Sequence, residues 1–396
     1  MIEPVFHLLN RSRKKHLPFI GLARRNFLHD LSLLRDKRGY FNAGIPRFNY
    51  LFGRDSIISA WQTLDYNPSV ARATLAVLSK LQGKKNDLAT EEEPGKIIHE
   101  AYFGPQSKVP HTYFRMPYYG SADATPLYLL LFMRYFEKTN DAGFLKKHIK
   151  NIRQAQDFML KKIHAKNKDD FFRYRCTSRG GDFHQGWKDG RRDHLRILPP
   201  VAIVEVQGYV YAALRETAHL AGSEERTLEL VREAEHLKTR FLKKFWLKKE
   251  KYFVLALDGR GKKRKAVTSN PGHLLFTGIL DKVHADLVVK RLFKSDLFTP
   301  YGIRTHSKLE KDFNPFSYHL GSVWPHDNWV IAEGLKKTRH WKEYNRVVNG
   351  LKRAYRRMKK IPEYYAVVGK TVVEIPGACY PHAWSSGALL NMLSMK

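Results

Sequence analysis

The sequence predicts an all-α chain folded as an (α/α)6 barrel, with six inner and six outer helices. Three observations carry this. Helical periodicity runs through most of the 396 residues. The helices alternate between a kind charged along one face and a kind apolar around much of its circumference. Short stretches mixing aromatics, carboxylates or amides with Gly and Pro recur where the apolar helices begin.

The periodicity places helices near residues 18–35, 56–64, 70–82, 123–138, 142–162, 205–221, 223–246, 271–280, 283–294, 321–337, 340–359 and 380–394. Segments 142–162, 223–246 and 340–359 are amphipathic and heavily charged, as outer helices are. Segments 123–138, 205–221 and 380–394 read as buried; Leu127, Leu129, Leu130, Leu131 and Phe132 leave almost no polar face. Strand signals are few, and residues 252–257 and 371–375 read as short hairpin arms. No linker rich in Pro, Gly or Ser divides the chain. Residues 1–396 are therefore expected to form one catalytic domain, with 1–40 as an N-terminal extension or first outer helix.

Composition excludes several classes. A hydrophobic share of 43% and an aromatic share of 13% allow a large core and argue against disorder. The longest apolar run, 127–133, is far too short to cross a bilayer. The first residues lack the order of a secretory signal, and two cysteines, Cys176 and Cys379, make no disulfide scaffold. The cytoplasm is the expected compartment. The net charge of +32 would suit nucleic acid. Yet the basic clusters at 11–15, 243–251, 262–265 and 353–360 are spread along the chain rather than gathered in one stripe. A specific nucleic-acid partner is not expected.

The helix starts carry the functional signal. They are Phe-Gly-Arg-Asp-Ser (52–56), Tyr-Tyr-Gly-Ser-Ala-Asp (118–123), Gly-Trp-Lys-Asp-Gly (186–190), Thr-Ser-Asn-Pro-Gly (268–272), the stretch 318–328 and Cys-Tyr-Pro-His-Ala-Trp (379–384). Taken singly, Asp55, Ser121 and Asn270 also suit N-caps. In a barrel of alternating helices, however, all six starts converge at one end. A pocket of Tyr, Trp, Asp, Asn, Arg and His there suits a sugar, because aromatic faces cover the ring while fixed polar groups read its hydroxyls.

The run Gly-Ile-Pro-Arg-Phe-Asn-Tyr-Leu-Phe-Gly-Arg-Asp-Ser (44–56) resembles the bacterial and archaeal amylo-α-1,6-glucosidase-like glycogen debranching family. Further matches follow in order: Glu-Glu-Pro-Gly-Lys-Ile-Ile-His-Glu (92–100), Pro-Tyr-Tyr-Gly-Ser-Ala-Asp-Ala-Thr-Pro-Leu (117–127), Gln-Gly-Trp-Lys-Asp (185–189), Glu-Val-Gln-Gly-Tyr-Val-Tyr-Ala-Ala (205–213), Asn-Pro-Gly-His-Leu-Leu (270–275), Ser-Val-Trp-Pro-His-Asp-Asn (322–328), Ile-Pro-Glu (361–363) and Ala-Trp-Ser-Ser-Gly (383–387). The resemblance implies an (α/α)6 barrel and glycoside hydrolysis with inversion. Three departures bear on substrate choice. The motifs begin near residue 40, where family members carry a β-rich domain first. His382 stands where the family tends to have Gln, and the loop between Asp189 and Glu205 is short.

An inverting glycosidase needs a carboxylic acid to protonate the leaving oxygen and a carboxylate to activate water, roughly 6.5–9.5 Å apart. Asp189 is the candidate acid. It follows Trp187 in a Gly-flanked loop and matches the Gly-Trp-Lys-Asp motif, with Lys188 expected to point away. Glu363, in Ile-Pro-Glu-Tyr-Tyr, is the candidate base, and Glu374 is the alternative. Arg54 and Asp55 are candidates to grip sugar hydroxyls. Asp123, Trp187, Glu205, Gln207, Asn270, Trp324, His326, Asp327, His382 and Trp384 complete the candidate substrate-binding set. Glu92, Glu93 and His99 are candidates for the rim. The histidines lack metal-ligand spacing and no nucleotide-binding motif occurs, so neither metal nor cofactor is expected.

The reading is an inverting hydrolase of α-linked glucosides, first a debranching enzyme for glycogen-derived oligosaccharides. The alternatives are a hydrolase of a small α-glycoside, such as a glycosylglycerate or a disaccharide, and a carbohydrate-binding barrel without catalysis.

Overall fold

The computed structural model describes residues 19–105, 108–111, 113–165 and 169–394; the basic cluster 11–15 lies outside them. The helices are α1 (Phe19–Leu34), α2 (Gly53–Gln62), α3 (Pro68–Leu81), α4 (Ala124–Thr139), α5 (Ala142–Lys147), α6 (Ile149–Ile163), α7 (Val204–Thr217), α8 (Glu224–Phe245), α9 (Lys282–Leu292), α10 (Pro325–Lys337), α11 (Trp341–Met358) and α12 (Ala383–Ser394). A 3-10 helix, Asn270–Phe276, stands where sequence periodicity predicts an α-helix over 271–280. Pro271 and Gly272 open it, and Gly278 follows its end in the left-handed region, at φ +81°.

The inner wall is a closed ring. α2 packs on α4, α4 on α7, α7 on the 3-10 helix, that helix on α10, α10 on α12, and α12 back on α2. Outer helices lean on this ring in turn: α3 on α2 and α4, α6 on α4 and α7, α8 on α7, α9 on the 3-10 helix, α11 on α10 and α1 on α12. This is the (α/α)6 barrel that the alternation of charged and apolar helices predicts. The predicted helix over 142–162 is two helices, broken at His148, which ends α5 and begins α6.

The two kinds of helix begin differently. Outer helices are capped by their own short polar side chains: Asn67 accepts from Ser69 N–H, Asp141 from Phe144 N–H, Ser223 from Arg226 N–H and Asp281 from His284 N–H. Inner helices α2, α4, α7 and α10 take no such bond from Phe52, Asp123, Ile203 or Trp324 at their N-caps. Three of them carry a carboxylate in the first turn instead: Asp55, Glu205 and Asp327. A carboxylate there complements the positive end of the helix. Ser121 does act as a cap, accepting from Ala124 N–H at 3.2 Å.

One contiguous core fills the space between the layers. Leu129, Leu130, Leu131 and Phe132 of α4 are each fully buried, so consecutive residues on all sides of this helix meet protein. Leu130→Ala is therefore expected to cost about 2–5 kcal/mol, read as a shifted urea midpoint, because the packed wall leaves the cavity little room to collapse.

Strands are short and serve the loops. Leu51–Phe52 pairs with Glu100–Ala101 and carries the chain into α2. There Gly53 presses on the neighbouring loop; a Cβ at this position would lie 2.2 Å from the Ile98 carbonyl oxygen. Residues 252–257 do not form one arm: Tyr252–Phe253 pairs with Trp246–Leu247, while Ala256–Leu257 joins Ala202–Ile203 and Lys263–Arg264. Thr371–Glu374 does form a hairpin, with Tyr365–Val368. Among the described residues, no helix is long and apolar enough to cross a membrane.

Candidate active site

A cleft of about 790 Å³ opens at the end of the barrel where the inner helices begin. Arg54, Asp55, Trp187, Asp189, Trp324 and Trp384, from the helix-start motifs, line it together with Glu363 from the Ile-Pro-Glu loop and the rim candidate His99. Helix α2 begins at Gly53 rather than near 56, so Arg54 and Asp55 project from its first turn.

Arg54 organises the floor and is fully buried. Its Nη1 donates to both Asp123 oxygens at 3.2 Å and to the Gly186 carbonyl at 3.0 Å, while Nη2 donates to Asp189 Oδ2. Asp55 Oδ2 is 4.0 Å from Arg54 Nε. One cation thus faces three carboxyl groups. Burial pushes the Asp189 carboxyl up; Arg54 opposes this, and Asp123 and Glu100 add to it, leaving the group at about 6. Burial drives Asp55 further, to about 8.

Glu363 is held from other elements. Tyr318 Oη donates to its Oε1 at 2.5 Å, and the Cys379 backbone N–H donates to Oε2 at 3.2 Å. The Glu363 N–H in turn donates to the Cys379 carbonyl at 2.9 Å, so side chain and backbone are fixed against the same residue. Arg47 reaches Oε2 at 3.9 Å from the solvent side. Burial raises the carboxyl to about 7, against these hydrogen bonds. Glu374 is elsewhere. It is exposed on the 371–374 strand and pairs with Lys360 at 2.7 Å.

Aromatic rings wall the cleft. Trp324 lies 5.9 Å from both Trp187 and Trp384, and stacks on Tyr364 at 5.0 Å and 14°. His326 does not line the cleft; its ring stacks behind Trp384 at 3.7 Å. His382 is buried too, with Nε2 3.8 Å from Asp55 and 3.9 Å from Glu363, and burial pushes it down to about 3. It therefore stands beside both carboxyls as a neutral ring.

Other candidates lie beneath the floor. Asp123 touches the cleft only through Arg54. Asn270 Nδ2 donates to Glu205 Oε1 at 3.0 Å, and Asp327 Oδ1 meets His273 Nε2 at 2.7 Å. Gln207 departs furthest from expectation: its amide bonds the Phe172 backbone on both sides, at 2.9 and 3.1 Å, and fastens the loop after α6 to α7. Glu92 and Glu93 line a separate hollow; Glu92 accepts from the Lys84 backbone and Glu93 pairs with Lys162. Lys188 points away from Asp189, as expected, and donates to the Thr305 carbonyl at 2.6 Å.

Sequence reasoning missed part of the wall. Tyr50 donates to Glu100 at 2.6 Å, His99 Nε2 lies 3.3 Å from Asp182, and His111, Tyr113, Phe114 and Arg191 reach the mouth. His99, Glu100 and Asp182 are close enough to share an ion, but Glu100 already accepts from Tyr50 and meets His111 at 3.2 Å. Glu100 and Tyr318 lie within quoted motifs and were open to detection; Asp182, Tyr113 and Arg191 carry no pattern.

A family profile described as the mannosylglycerate hydrolase MGH1-like glycoside hydrolase domain matches residues 147–367, more than half the chain and both candidate carboxyls. The chain belongs to this family. The MGH1-like domain is thus a glycoside hydrolase domain, and the fold agrees with solved relatives. The GH63 mannosylglycerate hydrolase from Thermus thermophilus, in complex with Tris and D-glycerate, superposes with a TM-score of 0.71 at 14% identity, covering 94% of this chain and 99% of that one. Its complex with glucose gives 0.70 at 15% identity, with the same coverage. Among curated proteins, no match was found. These findings support the six-hairpin barrel and the reaction class expected from the sequence; the debranching subtype finds no support in them.

Proposed function

We propose that this MGH1-like domain is an inverting hydrolase of a small α-glycoside bearing an acidic aglycone, a glycosylglycerate, with Asp189 as general acid and Glu363 as general base. The observation that carries the reading is that these two carboxyls, Asp189 half-buried and Glu363 buried, line one aromatic cleft and are fixed by separate sets of donors. Inversion needs this division: one carboxyl gives a proton to the leaving oxygen while the other takes one from water. Trp187, Trp324 and Trp384 offer ring faces to the sugar, and Arg54 with Asp55 offers fixed groups to its hydroxyls.

The small anionic aglycone is favoured by the mouth. Arg191 lies 3.5 Å over the Tyr113 ring at the rim, and Arg47 stands half-exposed beside Glu363. The name of the matched family and the D-glycerate complex of the Thermus relative point the same way.

The test is a hydrolysis panel of mannosylglycerate, its glucosyl counterpart and α-1,6-linked oligosaccharides, followed by NMR. Cleavage of a glycosylglycerate with the β-anomer appearing first is expected. Preference for the α-1,6 linkage would return the reading to debranching. First appearance of the α-anomer would mean retention and overturn the two-carboxyl, one-water geometry.

A further inference from the structure

The loop that carries Asp189 is anchored from below by its own neighbour. Lys188 is fully buried beneath the floor of the cleft. Its Nζ donates to the Thr305 carbonyl at 2.6 Å and lies 5.1 Å from the Trp187 ring. Thr305 O also accepts the Ser269 N–H at 3.2 Å, so the ammonium bonds an atom already fixed in the barrel wall.

The surroundings are built for a cation. Glu205, in the first turn of α7, and Asp327, in the first turn of α10, are the carboxylates whose charges act on it. Each has one oxygen engaged, with Asn270 and His273 respectively. The others, Glu205 Oε2 and Asp327 Oδ2, are buried and find no protein donor, and Asn270 Oδ1 is in the same condition. Among the described residues, neither carboxylate makes a direct ion pair with Lys188. Buried acceptors of this kind are satisfied by bridging water, and the two remaining N–H bonds of the ammonium are matching donors. His194, His306 and His319 also feel the charge, and burial keeps all three rings neutral near neutral pH.

We propose that Lys188 is a positioning residue for hydrolysis: its ammonium, bonded to Thr305 and held in the field of Asp327 and Glu205, fixes the loop so that the Asp189 carboxyl faces the scissile bond. The proposal rests on Asp189 being the acid. Burial costs the ammonium much of its stability as a cation, lowering it to about 8, so the group is retained at this place against its own desolvation. A one-residue tether leaves the acid little freedom of its own, and a displacement of about 1 Å at the reacting group costs on the order of 10²-fold in rate.

The test uses Lys188→Met in the full chain, assayed beside Asp189→Asn on mannosylglycerate, or on the oligosaccharide that the panel above selects. Met keeps the length of the stem and removes only the charge and the bond. The expected result is a fall in kcat of at least about tenfold with KM within about threefold, together with a lowered Tm, because Asp327 is left buried without its cation. A purely structural role would lower Tm and spare kcat. A kcat within threefold of the parent, while Asp189→Asn is inactive, overturns this proposal and leaves the assignment of the acid standing. An active Asp189→Asn overturns both. Should Lys188→Met fail to fold, Asp327→Asn serves instead, since Asp327 acts most strongly on the ammonium while burial raises the Glu205 carboxyl to about 8 and leaves it largely neutral. It weakens the field and spares the Thr305 bond, so a smaller fall in kcat at constant KM supports the proposal, and an unchanged kcat overturns it.

Discussion

Replacing Asp189 by Asn, or Glu363 by Gln, is expected to lower kcat by about 10²–10⁴-fold, the range that general acid–base catalysis supplies. The fold should persist in both. Arg54 keeps Asp123 and the Gly186 carbonyl when Asp189 is neutralised, and an amide at 363 can still accept from the Cys379 N–H through its oxygen while its NH2 donates to Tyr318 Oη. The pH profile adds a constraint that a fold defect could not imitate. The two carboxyls titrate as a pair at about 6 and about 7. Hydrolysis requires the base charged and the acid protonated, and with Glu363 at the higher value this is the less populated of the two singly protonated forms of the pair. The profile is still a bell: kcat/KM falls on the acid side as the pair takes up its second proton and on the alkaline side as it loses its last. The maximum is expected between these values. A profile without a fall on both sides of that interval, or a loss of only fivefold in either variant, would remove the residue from its role.

The second large effect is on stability. Arg54→Met is expected to cost about 3–5 kcal/mol, because it leaves Asp55, Asp123 and Asp189 buried without the cation they share. The sign of the pH dependence follows. Burial already raises Asp55 and Asp189, and Arg54 opposes this, so without Arg54 their folded-state values stand further above the unfolded ones and the penalty belongs to the charged forms. The deficit is therefore greatest at alkaline pH and shrinks as pH falls and the groups protonate. Urea unfolding of parent and variant at two pH values measures this. A deficit independent of pH would mean that Arg54 acts by packing alone.

Much of this was legible in the sequence, and the reasons differ by element. The unbroken apolar circumference of residues 127–132 identified an inner helix without reference to any partner, because only a helix enclosed on all sides tolerates it. Arg54, Asp189 and Glu363 were found because each sits at a chain turn beside Gly or Pro, where side chains are freed for chemistry. What failed was direction. Gln207 and Trp187 look equally suited to a sugar, but helix α7 turns Gln207 outward to Phe172, and only the ring packing reveals this. The choice between Glu363 and Glu374 was likewise closed to sequence, since each stands near a proline and the two lie at the same end of one hairpin; only the packing shows that Glu363 turns into the cleft while Glu374 faces Lys360. The wall formed by residues 111–114 comes from a connection without periodicity, and such segments carry no signal until the barrel gives them a place.

The tryptophan cluster has an optical consequence. Trp187, Trp324 and Trp384 stand with ring centroids 5.9 Å apart along two edges, both tilted by 73°. Indoles so close and so inclined share their electronic excitation, which produces paired bands of opposite sign on the strong indole transition in the far-ultraviolet circular dichroism. Trp384 also lies against His326, and imidazole quenches indole emission on contact. Three of the seven tryptophans of the chain are thus gathered at the one place a sugar would touch. A sugar seated against these rings is expected to change this signal without any label, over the constant contribution of the Trp61–Trp329 pair, which stands 6.0 Å apart away from the cleft.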